Sequence, residues 1–211
     1  MTRSDTKGDY RTVKQRSDRE TRNSSTGWLF RQTVLVRTAV IWVGMMILLW
    51  ASFGVGVITH PEAWTGVSAG ETAGGWSLLG TALLHNSFIM LLIGLGNLFV
   101  RFGWFTPGLL ILIIQALTIG WTAGTNAFAQ PFPSVAAANA AFLRIGLWET
   151  SAYAGVCAVT LPKSRLIADA FPATEWVEER SLRDLTFTRR ELWLFAISVV
   201  MLIGAAVTEA W

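Results

Sequence analysis

The chain has 211 residues, of which 52% are hydrophobic and only 15% charged, and its mean hydropathy is +0.45. An ordinary soluble domain cannot hide that much apolar surface, so the composition is that of a chain that lives in a bilayer. The net charge of +3 does not point to nucleic acid, because the basic residues sit mostly in flanking segments and match no nucleic-acid-binding signature. The single cysteine, Cys157, excludes an internal disulfide.

Met1 to Gly27 is polar and rich in Ser, Thr, Arg and Asp. It holds too little apolar surface to order itself and reads as a flexible basic tail, leaving 28–211 as a membrane domain. No cleavable signal peptide is evident, since the first apolar run starts about thirty residues in and is too long for a signal core.

About 20 apolar residues cross the hydrocarbon core of a bilayer. Five segments are predicted to do so: Thr33 to Thr59, Leu83 to Val100, Pro107 to Gly124, Phe142 to Leu161 and Leu192 to Thr208. No ionisable side chain lies between Arg37 and His60, or from Phe102 to Leu143. Pro107 suits the first turn of the third span, where a missing N–H costs nothing. Gln130-Pro131-Phe132-Pro133 breaks the segment before the fourth span. Val135 to Ala141 reads as a short interfacial helix, and the charged run Glu175 to Arg190 as a short cytoplasmic helix outside the bilayer. Thr186 to Glu191 leads into the fifth span. Trp28, Trp64, Trp76, Trp104, Trp121, Trp148 and Trp211 fall where span ends belong, at the headgroup level that indole prefers. The expected fold class is therefore all-α, a polytopic membrane protein with five transmembrane helices.

The charges orient this series. Met1 to Arg31 holds eight Lys/Arg, and Pro162 to Glu191 holds six. The loop after the first span carries Glu62 and Glu71 with no Lys or Arg, and Thr125 to Ala141 carries no charge. Positive loops stay inside, so five spans with a cytoplasmic N-terminus and an external C-terminus satisfy the count. Four or six spans would strand a basic loop outside. Arg144 is the one basic residue against the trend.

Polar residues inside spans are costly and need partners. Glu149, Tyr153 and Cys157 follow one another at steps of four on one face of the fourth span, with Gly146 three residues before Glu149. Asn86 and Asn97 lie eleven residues apart in the second span, so both point the same way at depths ~16 Å apart. Gly94 and Gly96 nearby permit close helix approach. In the third span Gln115, Thr118 and Thr122 share a face. Glu209 closes the fifth span. His85, Asn86, Thr122, Glu149 and Glu209 all fall in the outer half of the membrane or at its edge, with Arg144 as a possible counter-ion. Arg37, at the inner end of the first span, is expected to snorkel to the cytoplasmic interface. For each of these positions, plain helix–helix hydrogen bonding stands beside a mechanistic role.

Leu83-Leu84-His85-Asn86-Ser87 through Gly94-Leu95-Gly96 resembles the second span of the stage II sporulation protein M family. Phe105-Thr106-Pro107-Gly108 resembles that family's aromatic-x-Gly approach to the next span, with one residue more. Ile145-Gly146-Leu147-Trp148-Glu149 resembles its His-Gly-x-x-Glu element, except that Ile145 stands where the family has His, so no role that needs the imidazole carries over. Ala205-Ala206-Val207-Thr208-Glu209 resembles its closing small-residue stretch with an acid. The resemblance covers Leu83 to Trp211. It implies a helical integral membrane protein that works in complexes; in spore formers the namesake acts with cell-wall-modifying partners during engulfment.

No Gly-x-Ser-x-Gly elbow, phosphate-cradling Gly-x-x-x-x-Gly-Lys or metal-ligand cluster is present in the sequence. The expectation is a non-enzymatic subunit or scaffold of a membrane complex in the cell membrane, without cofactor or metal. Its partners would be other membrane proteins, and anionic lipids at the basic tail. The alternative is a transport component for a small solute, ion or lipid, and a membrane enzyme comes third.

Overall fold

The computed structural model describes residues 27–67, 74–168 and 170–211; the expected tail, Gly27 apart, lies outside the described residues. The chain is mostly helical. In order, α1 is Trp28–Arg31, α2 Val34–Thr59, α3 Trp76–Phe99, β1 Val100–Phe102, α4 Pro107–Gly124, α5 Val135–Ala141, α6 Leu147–Thr160, β2 Leu166–Ala168, β3 Val177–Glu178 and α7 Arg189–Ala210. Four of these, α2, α3, α4 and α7, are long and apolar enough to cross a membrane.

Local chemistry starts the helices. Thr33 caps α2, its hydroxyl accepting from Val36 N–H at 3.4 Å. Thr106 caps α4 in the same way at Leu109 N–H, 3.1 Å, with Pro107 in the first turn. At α7, Thr188 and Glu191 form a reciprocal capping box: the Thr188 N–H donates to Glu191 Oε2 at 2.8 Å and the Glu191 N–H to Thr188 Oγ1 at 3.3 Å. Ser134 caps α5, the short helix expected at Val135 to Ala141.

The starts of α2, α4 and α7 gather at one end of the bundle with the ends of α3 and α6. This basic end holds Arg37, Lys163 and Glu191 together. The opposite end is tryptophan-rich. There the Gly75 N–H donates to Ala210 O at 3.0 Å, Trp64 Nε1 donates to Gly124 O at 3.2 Å, and Trp76 meets Trp211 edge to face.

The predicted fourth span is built in pieces. α6 is preceded by a π turn at Phe142–Gly146 and followed by a 3₁₀ turn at Leu161–Lys163. α6 is the central helix, packed against α2, α3, α4 and α7. Every residue from Ala152 to Leu161 is buried, and most are small. Lipid tails are as apolar as Leu, so membrane helices associate through close packing and hydrogen bonds, and small residues at the centre let four neighbours approach. The same device joins α2 to α4, where a Cβ on Gly120 or Gly124 would strike the backbone of Leu49 or Phe53.

Two expectations are corrected. α3 begins at Trp76, seven residues ahead of the expected Leu83. The run Glu175 to Arg190 forms no helix before Arg189; it contributes β3 and a 3₁₀ turn at Leu182–Asp184. The fold also carries a small sheet beside its helices. β1 pairs in parallel with β2 (Val100 opposite Leu166), and β2 pairs antiparallel with β3 (Ile167 opposite Val177). This sheet closes the basic end, and an aromatic cluster of Phe102, Phe105, Phe171 and Trp176 packs beside it.

Candidate functional site

Polar side chains between the helices form three layers. The first lies toward the tryptophan end, between α3 and α6. Asn86 Nδ2 donates to Glu149 Oε1 in a short contact, and the Tyr153 hydroxyl donates to Asn86 Oδ1 at 3.0 Å. Asn86 and Tyr153 are buried, while Glu149 is half-buried one turn beyond the π turn. One asparagine thus uses both ends of its amide to tie a carboxylate and a phenol. Glu209, exposed near the end of α7, is close enough to interact through space with Glu149 and with the exposed His85. Trp42 Nε1 donates to Ser151 Oγ at 2.9 Å, fixing α2 to α6 beside this layer.

The second layer centres on Asn97, which is wholly buried. Its Nδ2 donates to Thr160 Oγ1 at 2.8 Å and to the Cys157 carbonyl at 3.3 Å. Its Oδ1 accepts from the Thr106 hydroxyl at 2.5 Å, and its carbonyl accepts from Ser164 Oγ at 2.7 Å. Four pieces of chain therefore converge on one residue: α3, the cap of α4, α6 and the turn after α6. Gly108 packs so tightly here that a Cβ would strike the Asn97 side chain.

The third layer is ionic and lies at the basic end. Arg37 is 3% exposed, which corrects the expectation that it snorkels to the interface. Its Nε donates to the Ala158 carbonyl at 2.6 Å, and its Nη1 to the Phe30 and Gln32 carbonyls. Its Nη2 lies 3.6 Å from Glu191 Oε1. Lys163 Nζ takes the other carboxylate oxygen at 3.0 Å and also donates to Thr186 O.

Of the residues singled out from sequence, Asn86, Glu149 and Tyr153 are hydrogen-bonded together, and Asn97 lies on the same face of α3 deeper in the bundle. Glu209 flanks the first group without a direct bond among the described residues. The side chain of Thr122 donates no hydrogen bond to it there. Arg144 is exposed and pairs with no carboxylate among the described residues, so it is not the counter-ion of Glu149. The Arg37–Glu191–Lys163 cluster was missed. Its signals are in the sequence: Thr188-x-x-Glu191 is a capping-box pattern, and Arg37 lies within the first predicted span, Thr33 to Thr59.

What this arrangement does chemically is hold helices together. Each asparagine offers donors and acceptors to a neighbour that would otherwise face hydrocarbon unsatisfied. Comparison with protein-family models, with curated proteins and with solved structures finds no match in any of the three, so the likeness to the stage II sporulation protein M family rests on the motifs quoted above.

Proposed function

We propose that this chain is a non-enzymatic integral membrane subunit or scaffold that holds partner membrane proteins, crossing the bilayer five times with its N-terminus cytoplasmic and its C-terminus outside. One observation carries the reading. Among the described residues, the only buried side-chain nitrogens and oxygens without a partner are the Nε atoms of Arg101 and Arg180, both at the basic end. The other buried polar groups are hydrogen-bonded within the bundle, which suits a packing role.

The outer faces are the ones left open. Gly44 and Gly54 on α2, Gly80 on α3 and Gly204 on α7 have no atom within 4 Å of where a Cβ would sit. Small residues on a lipid-facing helix are where another helix approaches closely. The five-span count is supported by the path through α6: from Phe142 to Lys163 a helical path rises about 30 Å, enough for the hydrocarbon core. Its neighbours shield it, so it needs less apolar surface than they do.

A transport component is the second reading, favoured by Glu149 being half-buried beside Glu209 and His85 rather than sealed. Exchange of Glu149→Gln separates the two. A scaffold keeps its assembly and its function in cells, because Gln still accepts from Asn86. A transporter that uses the carboxylate loses activity while its assembly is unchanged.

A further inference from the structure

A cavity of about 660 Å³ opens at the basic end, between the first turns of α2 and α7. Its wall carries five cations, Arg37, Lys163, Arg180, Arg189 and Arg190, against one carboxylate, Glu191. Two of the five are committed. Arg37 is used by three backbone carbonyls and Glu191, and Lys163 by Glu191 and Thr186. Both Glu191 oxygens are thereby occupied. The other three cations are not: among the described residues Arg180, Arg189 and Arg190 form no ion pair, and Arg180 Nε is buried with no hydrogen-bond partner. Two helix N-termini add positive potential at the same place.

Arg101 stands beside this wall with its guanidinium over the Phe30 ring at 4.6 Å. Its Nε is likewise buried without a partner. Burial pulls its pKa below the ordinary value, Glu179 opposing and Arg180 adding to the fall. Unpaired guanidinium nitrogens beside like charges are costly to bury unless an anion satisfies them. Guanidinium forks match phosphate oxygens bidentately.

The remaining wall is mixed, with Gln32, Thr33 and Thr188 beside an apolar part. Phe30, Val34 and Leu35 line it, and Leu35 is 63% exposed on the outward face of α2. The cavity is therefore charged within and opens onto an apolar helix surface. We infer that it is a binding site for an anionic phospholipid, whose phosphate sits against Arg180, Arg189 and Arg190 while an acyl chain lies along α2 over Leu35. This site is distinct from the N-terminal tail and does not depend on the subunit reading.

The test is native mass spectrometry of the full chain purified in detergent, titrated with phosphatidylglycerol or with phosphatidylcholine. The expected result is preferential retention of phosphatidylglycerol that falls about tenfold or more in the R180Q/R190Q double variant, two charges being removed from the site. R180K/R190K, which keeps both charges, retains more than half of the preference. The tail is intact in every variant, so a preference unchanged in R180Q/R190Q overturns the site. Equal retention of the two lipids also overturns it. Displacement of the lipid by millimolar inorganic phosphate overturns the lipid assignment in favour of a soluble phosphate. A thermal midpoint of R180Q/R190Q matched to the parent keeps a loss of binding separate from a loss of fold, and R189Q/R190Q, both exposed residues, is expected to lose the preference with the same midpoint.

Discussion

The guanidinium of Arg37 lies 3.6 Å from the carboxylate of Glu191, and the two side chains are 4% and 7% exposed. They join the first turns of α2 and α7, helices far apart in sequence that α6 would otherwise only bridge. The carboxylate is shared three ways, between Arg37, Lys163 and the cap of its own helix. Such a buried ionic cluster is a poor source of net stability but a strong determinant of which ends meet, because without Glu191 the buried Arg37 is a stranded charge.

Removing Glu191 alone should therefore cost more than removing it together with Arg37. Glu191→Leu is expected to destabilise the protein by about 3 kcal/mol, read as a lower thermal unfolding midpoint in detergent. The Arg37→Met/Glu191→Leu double variant should lose less than the sum of its single variants. Strict additivity would show that the two residues are not coupled.

Asn97 should behave as the interior's main polar junction. Asn97→Leu leaves Thr106 and Thr160 without their partner, at an expected cost of about 1–2 kcal/mol. Thr106→Val should cost less, since it removes one bond and a helix cap. Thermal midpoints measured in one detergent rank the two, and equal midpoints would contradict the assignment.

Glycines divide into those that separate backbones and those that do not. Gly120→Leu should wedge α4 from α2 and destabilise by about 1–3 kcal/mol. Gly94→Ala should be tolerated, because its nearest neighbours, Val156 and Thr160, stand at ordinary van der Waals distance. The comparison needs only the folded fraction after purification.

Five spans place the Pro131–Pro133 segment outside and β3 inside. In whole cells an impermeant maleimide should label Pro133→Cys directly and Glu179→Cys only after permeabilisation. Cys157, wholly buried, should stay unlabelled in both. Equal labelling of the two sites in intact cells would remove the five-span arrangement.

Much of this fold was legible because its signals are local. The bounds of α4 were readable from Pro107 and from the charge-free run after Phe102, and the α2 bounds from Thr33 and His60. The direction shared by Asn86 and Asn97 followed from helical periodicity alone. The failures have non-local causes. Arg37 looked like an interfacial residue because its partners, Ala158 and Glu191, are distant in the chain. Glu175 to Arg190 looked helical by charge alone, but its backbone bonds to β2, which only the folded chain brings near. The segment Phe142 to Leu161 reads as one continuous helix in the sequence because a π turn leaves no mark in the composition. That Asn86 is the hydrogen-bond partner of Glu149 cannot be seen from α6 alone.

A scaffold of the proposed kind holds its partner on outward helix faces rather than in its interior. The most direct measurement is purification in mild detergent with quantitative mass spectrometry of what travels with the chain, run in parallel on the parent, Gly204→Phe and Glu149→Gln. The expected result is a stoichiometric membrane partner that is retained by Glu149→Gln and lost from Gly204→Phe, with the fold intact in both. A chain that purifies alone, and whose function in cells fails with Glu149→Gln, would contradict it and move transport to first place.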